Sequence, residues 1–357
     1  MNTDTAQKFV SFEALPAFLA KLAAGATLYA PRRENKAVVY RPWQAGDKVE
    51  LSLRPTESCK HVVFPRSEEL FSFDMGGDPE KPGKAGLTLQ EASEPGPAVV
   101  FAALSCDARG FLAFDPVYDG CGTGGKAKDT YYLKRREKTT LIVRTCKSSL
   151  NTCFCTWVGG SPASSEGADA LLTEINGGYL LEAVTDKGAS LLASLPAASD
   201  EQSAASRAAR EQAVQSAPQP PQDMIKAPAA LGALFDSAAF WEKQSAHCIY
   251  CGACTYLCPT CYCFNITDES NGLKGLRMRS WDNCMSPLFT LETSGHNPRQ
   301  EKANRLKNRV GHKFSYYPKI HSGRFSCCGC GRCIKSCPSS VDIRKIVLDA
   351  IKEAANV

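Results

Sequence analysis

Apolar residues recur at helical spacing near both ends of the chain. At the N-terminal end, one helical face carries Phe12, Leu15, Leu19 and Leu22, with Ser11 as a candidate cap. At the C-terminal end, the same spacing follows Ser339-x-x-Asp342 and gives a continuous stripe of Ile343, Ile346, Val347, Ala350 and Ile351. The pattern predicts a short helix within residues 11–30 and a C-terminal helix that packs over the neighbouring cysteine-rich region.

Unbroken apolar runs predict two buried strands in the first half of the chain. Residues 98–104 and 140–144 are such runs, and each leads directly to a cysteine, Cys106 and Cys146. If the two strands are parallel, a right-handed crossover places both cysteines at the same carboxyl edge of the sheet. Shorter strands are predicted at 37–40 and 49–53, and a hairpin at 171–184 around Asn176-Gly177.

The middle of the chain predicts a linker. Ser199 and Gln202 form a capping box before an alanine-rich helix, and prolines at 218–221 end that helix. With 357 residues, the chain is long enough for two or three domains. We predict an α+β protein with three parts: an N-terminal α/β domain with a mixed sheet over 1–195, a linker over 196–235, and a cysteine-rich domain over 236–357.

The number of cysteines is the unusual feature of the composition. Apolar residues make up 43% and charged residues 22% of the chain, but it contains 18 cysteines. The first eight residues lack the apolar core of a signal peptide, and no apolar run approaches the roughly 20 residues of a membrane span. We therefore expect a cytoplasmic protein without a membrane span, whose thiols bind metal rather than form disulfides.

Eight of the cysteines form two copies of one spacing, Cys-x2-Cys-x2-Cys-x3-Cys-Pro. The first copy runs from Cys248 to Pro259 and the second from Cys327 to Pro338. This is the spacing with which bacterial ferredoxins bind two [4Fe–4S] clusters, the fourth cysteine of each run serving the other cluster. We assign one cluster to Cys248, Cys251, Cys254 and Cys337, and the other to Cys327, Cys330, Cys333 and Cys258. The sequence predicts a bacterial-ferredoxin-like domain with a long insertion at 259–326.

Two alternatives remain at this stage. Zinc also binds paired cysteines, although zinc ribbons use two pairs rather than a triplet with a trailing Cys-Pro. Alternatively, the clusters could serve only to staple a small fold. Two clusters held together by exchanged ligands favour a conductor of single electrons over a staple.

Four cysteines of the N-terminal domain predict a further site. Cys106 and Cys146 would meet at the sheet edge, and Cys153 and Cys155 lie on the loop that leaves it. These four could hold a third iron–sulfur cluster, a zinc ion, or no metal, since buried thiols are common in protein cores.

The other cysteines show no such pattern. Cys261, Cys263 and Cys284 lie in the insertion and could bind metal, but they lack a fourth partner of matching spacing, so we interpret them as packing residues. Cys59 is predicted to lie in an exposed loop, and Cys328 is off the spacing of its run. We do not expect either to be a ligand.

Basic residues are concentrated around the second cysteine run. Residues 271–335 contain thirteen lysines and arginines against three acidic residues. Such a stretch could dock an acidic partner by electrostatic steering, or it could be a solvated face. Aromatic residues among the charges would suit single-stranded nucleic acid, but we expect no nucleic-acid partner.

No motif for nucleotide or covalent chemistry was found. The loop 120–127 superficially matches a phosphate-binding loop, but Ala127 stands where Mg²⁺ requires a Ser or Thr hydroxyl. There is no dinucleotide-binding glycine fingerprint, no nucleophile with a base and no paired catalytic carboxylates. We therefore predict no catalytic residues and no nicotinamide binding on this chain.

Several stretches carry a resemblance to a known family. They are Cys106-Asp-Ala-Arg, Tyr131-Tyr-Leu-Lys-Arg-Arg-Glu137, Thr152-Cys-Phe-Cys-Thr156, Gly167-Ala-Asp-Ala-Leu-Leu-Thr173, residues 248–264, Ser294-Gly-His-Asn-Pro-Arg299 and Cys330-Gly-Arg-Cys333. In these stretches the chain resembles the iron–sulfur β subunits of cytoplasmic sulfhydrogenases and the A subunit of anaerobic sulfite reductase, together with electron-transfer subunits linked to heterodisulfide reductases.

The resemblance implies an electron-transfer subunit with two [4Fe–4S] clusters. Its partners would be a flavoprotein that binds NAD(P)H and a catalytic subunit of hydrogenase, sulfite reductase or heterodisulfide reductase type, with ferredoxin as a further candidate. The resemblance also favours the third cluster at Cys106, Cys146, Cys153 and Cys155, because the shared N-terminal motifs contain these cysteines. The alternative function is a self-sufficient iron–sulfur reductase that acts on a small molecule at the N-terminal site.

Overall fold

The computed structural model describes residues 7–76, 86–120, 124–221 and 223–356. The predicted α+β class is confirmed: a mixed sheet with helices occupies the N-terminal half, and short helices surround the cysteine runs. The strands are β1 Gln7–Ser11, β2 Thr27–Glu34, β3 Ala37–Pro42, β4 Ser67–Asp74, β5 Thr88–Glu91, β6 Ala98–Leu104, β7 Thr139–Arg144, β8 Ala170–Ile175, β9 Gly178–Ala183, β10 Phe264–Asn271 and β11 Lys274–Trp281.

Helices connect and cover these strands. They are α1 Leu15–Gly25, α2 Ser105–Tyr118, α3 Thr130–Glu137, α4 Asp186–Leu192, α5 Asp200–Gln215, α6 Ala227–Ala233, α7 Ala238–Ser245, α8 Ala253–Tyr256, α9 Lys302–Gly311, α10 Tyr317–Ile320, α11 Arg332–Lys335 and α12 Ile343–Ala354. A π-helical turn, His312–Tyr316, joins α9 to α10. None of the described helices has both the length and the apolar character that crossing a membrane requires.

A seven-stranded sheet, in the order β1-β9-β8-β7-β6-β2-β3, forms the N-terminal half. Its centre is parallel: β6 pairs with β2 and β7, and β7 pairs with β8. As in any strand, alternate residues of β6 face opposite sides of the sheet. Val99 and Phe101 lie in one apolar core, and Val100 lies in the other. The predicted parallel arrangement of β6 and β7 brings their carboxyl ends to one edge.

A second sheet links the insertion to the N-terminal half. Its order is β10-β11-β4-β5, and β11 pairs antiparallel with β4. Near this junction the indole of Trp281 donates a hydrogen bond to the Phe64 carbonyl at 3.0 Å. The insertion is therefore anchored to the N-terminal half by strand pairing.

Several local predictions need correction. Residues 49–53 form no strand, and α1 begins only at Leu15, because Ser11 ends β1 and Phe12 is exposed. The helix α2 begins at Ser105, directly after β6. Cys59 is fully buried rather than exposed.

The C-terminal stripe and the capped helix α5 are confirmed. All five stripe residues of α12 are buried, although the cap is Asp342 rather than Ser339. Ser199 and Gln202 form the capping box of α5. That helix, within the predicted linker, lies against the sheet, where Arg210 pairs with Glu182 at 3.3 Å. The division into domains stays a prediction.

Candidate metal centres

The two cysteine runs fold into the same local structure. Tyr250 and Gly252 have positive φ values of 58° and 72°, and Gly329 and Gly331, at the equivalent positions, have 63° and 73°. Each run then enters a single turn of helix, α8 or α11. The repeated left-handed residues bend the backbone around its own cysteines, and glycine suits this conformation because it has no Cβ.

The first cavity lies inside the loop that the first cysteine run forms. Its lining includes Cys248, Cys251, Cys254 and Cys337. The backbone N–H of Val341 donates to the Cys337 Sγ at 3.2 Å. The cavity thus gathers three cysteines of the first run and the last cysteine of the second.

The second cavity shows the reciprocal arrangement. Its lining includes Cys258, Cys327, Cys330 and Cys333. Cys333 also lines the first cavity, so the two cavities are neighbours. The structure therefore brings together the same two sets of four cysteines that the ferredoxin spacing predicts.

The donor chemistry of these cavities fits iron–sulfur clusters. Each cavity is lined by the predicted four cysteines and one more, Cys333 in the first and Cys328 in the second, so each contains the four thiol sulfurs that a cubane takes. Among the described residues, no three His, Cys, Asp or Glu side chains converge closely enough to hold a single metal ion. Thiols spread around a cavity suit a cluster with several corners, whereas one zinc ion would need them drawn together.

Hydrogen bonds at two of these cysteines favour the thiolate that metal binding requires. The Cys328 thiol donates to Cys330, and this hydrogen bond is the main reason that the pKa of Cys330 falls to about 6. At Cys258, a hydrogen bond from the Cys261 thiol, aided by the charge of Lys313, lowers the pKa. Cys328 and Cys261 thus support neighbouring thiolates.

Burial opposes deprotonation at other positions. It raises the pKa of Cys327 and of Cys333 to about 12, and it also raises the pKa of Cys254. Because iron–sulfur ligands are thiolates, metal binding must release these protons.

The four N-terminal cysteines also come together. Cys106 lies in the first turn of α2, Cys146 follows β7, and both pack in one small cluster of buried side chains. The guanidinium of Arg54 donates to the Cys153 Sγ at 2.6 Å and to the Cys106 Sγ at 3.3 Å. Burial, together with nearby Cys146 and Cys153, raises the pKa of Cys155 to about 11.

The N-terminal cysteines directly adjoin the second cavity. Cys106 packs against Cys328 and Cys330. A Cβ on Gly331 would lie 2.2 Å from the Thr152 carbonyl oxygen, and one on Gly329 would lie 2.4 Å from the Phe154 carbonyl oxygen. The second cysteine loop therefore rests on the backbone of residues 152–155.

A buried ion pair fastens this junction. Arg332 donates to both carboxylate oxygens of Asp107, at 2.6 and 2.9 Å, and to the Pro55 carbonyl at 3.3 Å. Both side chains are almost fully buried. Because Asp107 follows Cys106 and Arg332 precedes Cys333, the pair holds the two cysteine groups in fixed register.

The three cysteines of the insertion have thiol neighbours. Cys261 lies beside Cys258, and Cys284 donates to Cys263, which lowers the Cys263 pKa. This arrangement is compatible with the packing role expected from the sequence.

Much of the basic stretch does not face solvent. Five of its thirteen cations are buried: Arg279, Arg305, Arg309, Lys313 and Arg332. These five cannot form the docking face considered from the sequence.

Comparison with known proteins gives two findings. Residues 247–341 match the model of the 4Fe-4S dicluster domain family. The chain is also 29% identical over 355 residues to Sulfhydrogenase 2 subunit beta of Pyrococcus furiosus, covering 96% of this chain and 97% of that protein. No solved structure matches the chain.

Both findings agree with the geometry of the cysteine loops. The matched domain spans both cysteine runs and the insertion between them, and the likeness to the β subunit extends through the N-terminal half. The predicted resemblance is therefore confirmed: the chain is a homologue of a sulfhydrogenase β subunit and carries a 4Fe-4S dicluster domain.

Proposed function

We propose that this iron–sulfur electron-transfer subunit passes single electrons between a flavoprotein that handles NAD(P)H and a catalytic metal subunit, within a cytoplasmic oxidoreductase complex. The observation that carries the proposal is the pair of adjoining cysteine-lined cavities, each of which also receives the last cysteine of the other run. The likeness to a sulfhydrogenase β subunit supports a catalytic partner of hydrogenase type. Sulfite reductase and heterodisulfide reductase types remain alternatives, as does ferredoxin as a donor.

Each cavity would hold one [4Fe–4S] cluster. The ligands are Cys248, Cys251, Cys254 and Cys337 in the first, and Cys327, Cys330, Cys333 and Cys258 in the second. When bound, such clusters supply one-electron chemistry at low potential, tuned by hydrogen bonds to sulfur and by solvent exposure.

The protein holds and shields these sites. Met285 and Leu306 line the first cavity, and Phe154 and Ile343 line the second, so apolar side chains limit the access of water. Of the eight cysteines only Cys251 is exposed. The first cavity therefore offers the edge at which a partner would approach most closely.

A third cluster is proposed at Cys106, Cys146, Cys153 and Cys155. The donor set fits an iron–sulfur centre, and Arg54 supplies a positive charge beside the thiols. Contact between Cys106 and Cys330 would place this centre next to the second cavity.

Exchange of the fourth cysteines provides a direct test. Electron paramagnetic resonance (EPR) spectra of the reduced, anaerobically prepared protein would be recorded for four single serine variants. Cys337→Ser should disturb the same signal as Cys251→Ser, although its own run supplies the other cluster. Cys258→Ser should disturb the same signal as Cys330→Ser, and each variant should lose about four irons.

The control is Cys59→Ala, which removes a buried cysteine outside both cavities and should leave both signals intact. If Cys337→Ser instead matches Cys330→Ser, the exchange of ligands is refuted. If the isolated chain turns over a small substrate without partner subunits, the self-sufficient reductase replaces the electron-transfer subunit.

A further inference from the structure

Three buried cations lie on one face of the helix that passes the two cavities. Arg305, Arg309 and Lys313 follow at four-residue spacing along α9 and the π-helical turn, so they lie one above another. Their exposed fractions are only 4%, 4% and 3%. A buried charge is costly unless a partner compensates it, so each of the three requires an explanation.

Two of the three have protein acceptors. Arg305 donates to the Arg299 carbonyl at 3.0 Å and lies over the ring of Tyr250. Lys313 donates to the Thr260 hydroxyl at 2.8 Å, the Ser326 carbonyl at 3.1 Å and the Cys258 Sγ at 3.5 Å. Both are held within ordinary hydrogen-bond networks.

Arg309 differs from its neighbours. The Nε of Arg309, like that of Arg305, is buried without a hydrogen-bond partner, but Arg309 has no carbonyl acceptor such as Arg305 has, and no carboxylate among the described residues pairs with it. Arg309 lines both cavities, whereas Lys313 lines only the second. Its guanidinium therefore lies between the two groups of cysteines.

The thiols are the groups that can compensate this charge. Burial alone would lower the pKa of Arg309, but the charges of Cys254 and Cys333 outweigh burial and raise it. Cys254 lines the first cavity, and Cys333 lines both. The positive charge of an arginine is retained at any working pH. It is therefore present in both the oxidised and the reduced states of the clusters.

We propose that the fixed charge of Arg309, shared by both cavities, favours the reduced state of both clusters. The inference rests on the cluster assignment in the proposed function. A cubane with four thiolate ligands is anionic, and each added electron makes it more so. A cation in a water-poor site between two such groups stabilises that electron at either one. Lys313, in contrast, acts on the second alone.

The test compares reduction potentials in anaerobically purified protein by EPR-monitored redox titration, with iron and sulfide content measured in parallel. Arg309→Gln should make both clusters harder to reduce. At a fixed potential, the ratio of reduced to oxidised cluster should fall about tenfold at each, which corresponds to about 59 mV for one electron. Arg309→Lys keeps the charge and should remain close to the unmodified protein at both clusters.

The matched control is Lys307→Gln. It removes the same charge from the same helix, but Lys307 lies over the ring of Phe235 at 4.0 Å and lines neither cavity. Both potentials should be unchanged in this variant.

Three results would overturn the proposal. The first is full iron content with unchanged potentials in Arg309→Gln, and the second is a shift confined to one cluster. The third is an Arg309→Lys variant whose potentials or iron content change as those of Arg309→Gln do. The comparison of iron content still applies if the Gln variant fails to assemble clusters. Two normal EPR centres in the unmodified protein would leave the proposed function standing in each case, whereas their absence would refute that function itself.

Discussion

At the scale of single residues, buried charge is concentrated around the cysteines. Arg54 and Lys313 donate to cysteine sulfurs, and Arg332 forms a two-point ion pair with Asp107. Nearby cations favour thiolates over thiols, and thiolates are the metal ligands. These residues therefore prepare the cysteines for metal as well as hold the fold.

The pair of Asp107 and Arg332 leads to a stability prediction. Removing one partner of a buried ion pair leaves the other charge uncompensated and costs about 3–5 kcal/mol. Asp107→Asn should therefore destabilise the protein by an amount near the lower end of that range, because the amide can still accept one hydrogen bond. Thermal unfolding of the anaerobically prepared protein would measure the loss.

A matched control is available on the surface. Arg277 and Asp268 form a similar two-point pair at 2.7 and 2.7 Å, with both side chains well exposed. Asp268→Asn should hardly change the unfolding temperature, because water screens such pairs. Equal losses of stability in the two variants would show that the buried Asp107 pair contributes no more to stability than the exposed pair does.

Residue roles were predictable where spacing encodes them. The two cysteine runs identified both sets of four that line the cavities, because the ferredoxin spacing includes the exchange of the fourth cysteine. The roles of Arg309 and Lys313 were missed, since a basic run ordinarily indicates a solvated face. Their four-residue spacing with Arg305 was a visible signal, but the sequence does not show which side of that helix faces the cysteines.

At the scale of elements, the decisive contact is between two loops. The second cysteine loop lies on residues 152–155 so closely that Gly329 and Gly331 leave no room for a Cβ. Both glycines also have positive φ values. Loop conformation and loop contact thus require glycine independently at these positions.

Substitution of Gly331 tests both requirements at once, and a control glycine separates them. Gly331→Ala adds a left-handed penalty of about 1–2 kcal/mol and also pushes the Cβ against the Thr152 carbonyl. Overpacking typically costs a further 1–3 kcal/mol, roughly. We expect a clear loss of stability together with loss of iron from the second cavity, measured by unfolding and by iron analysis.

The control for this variant is Gly272→Ala. Gly272 has nearly the same φ, 69°, but nothing lies within 4 Å of the added Cβ. It should show only the left-handed penalty and keep its full iron content. If both variants lose the same stability and the same iron, the close approach of the two loops is not essential.

Elements were predictable where one local pattern determined them. The strands β6 and β7, the hairpin of β8 and β9, and the stripe of α12 follow directly from apolar runs, a turn signal and helical spacing. Residues 49–53 alternate as a strand would, but they find no partner strand. The hairpin of β10 and β11 was missed despite its Asn271-Gly272 turn signal, because β10 is mostly polar and exposed throughout.

At the scale of the whole molecule, three cysteine groups lie side by side. The two cavities share Cys333 and Arg309, and the second cavity adjoins the N-terminal group through Cys106 and Cys330. Pairing of β11 with β4 joins the same two halves of the chain. Local patterns did not predict this junction, because it depends on strands about 200 residues apart, whose pairing no local spacing encodes.

We interpret the clustered cysteines as ligands of iron–sulfur clusters. The most direct test is the iron and acid-labile sulfide content per chain after anaerobic purification. We expect about twelve of each, for two clusters in the cavities and a third at the N-terminal group. About eight would remove the third cluster and leave the pair, whereas a folded, iron-free protein or stoichiometric zinc in place of iron would refute the assignment of iron–sulfur clusters.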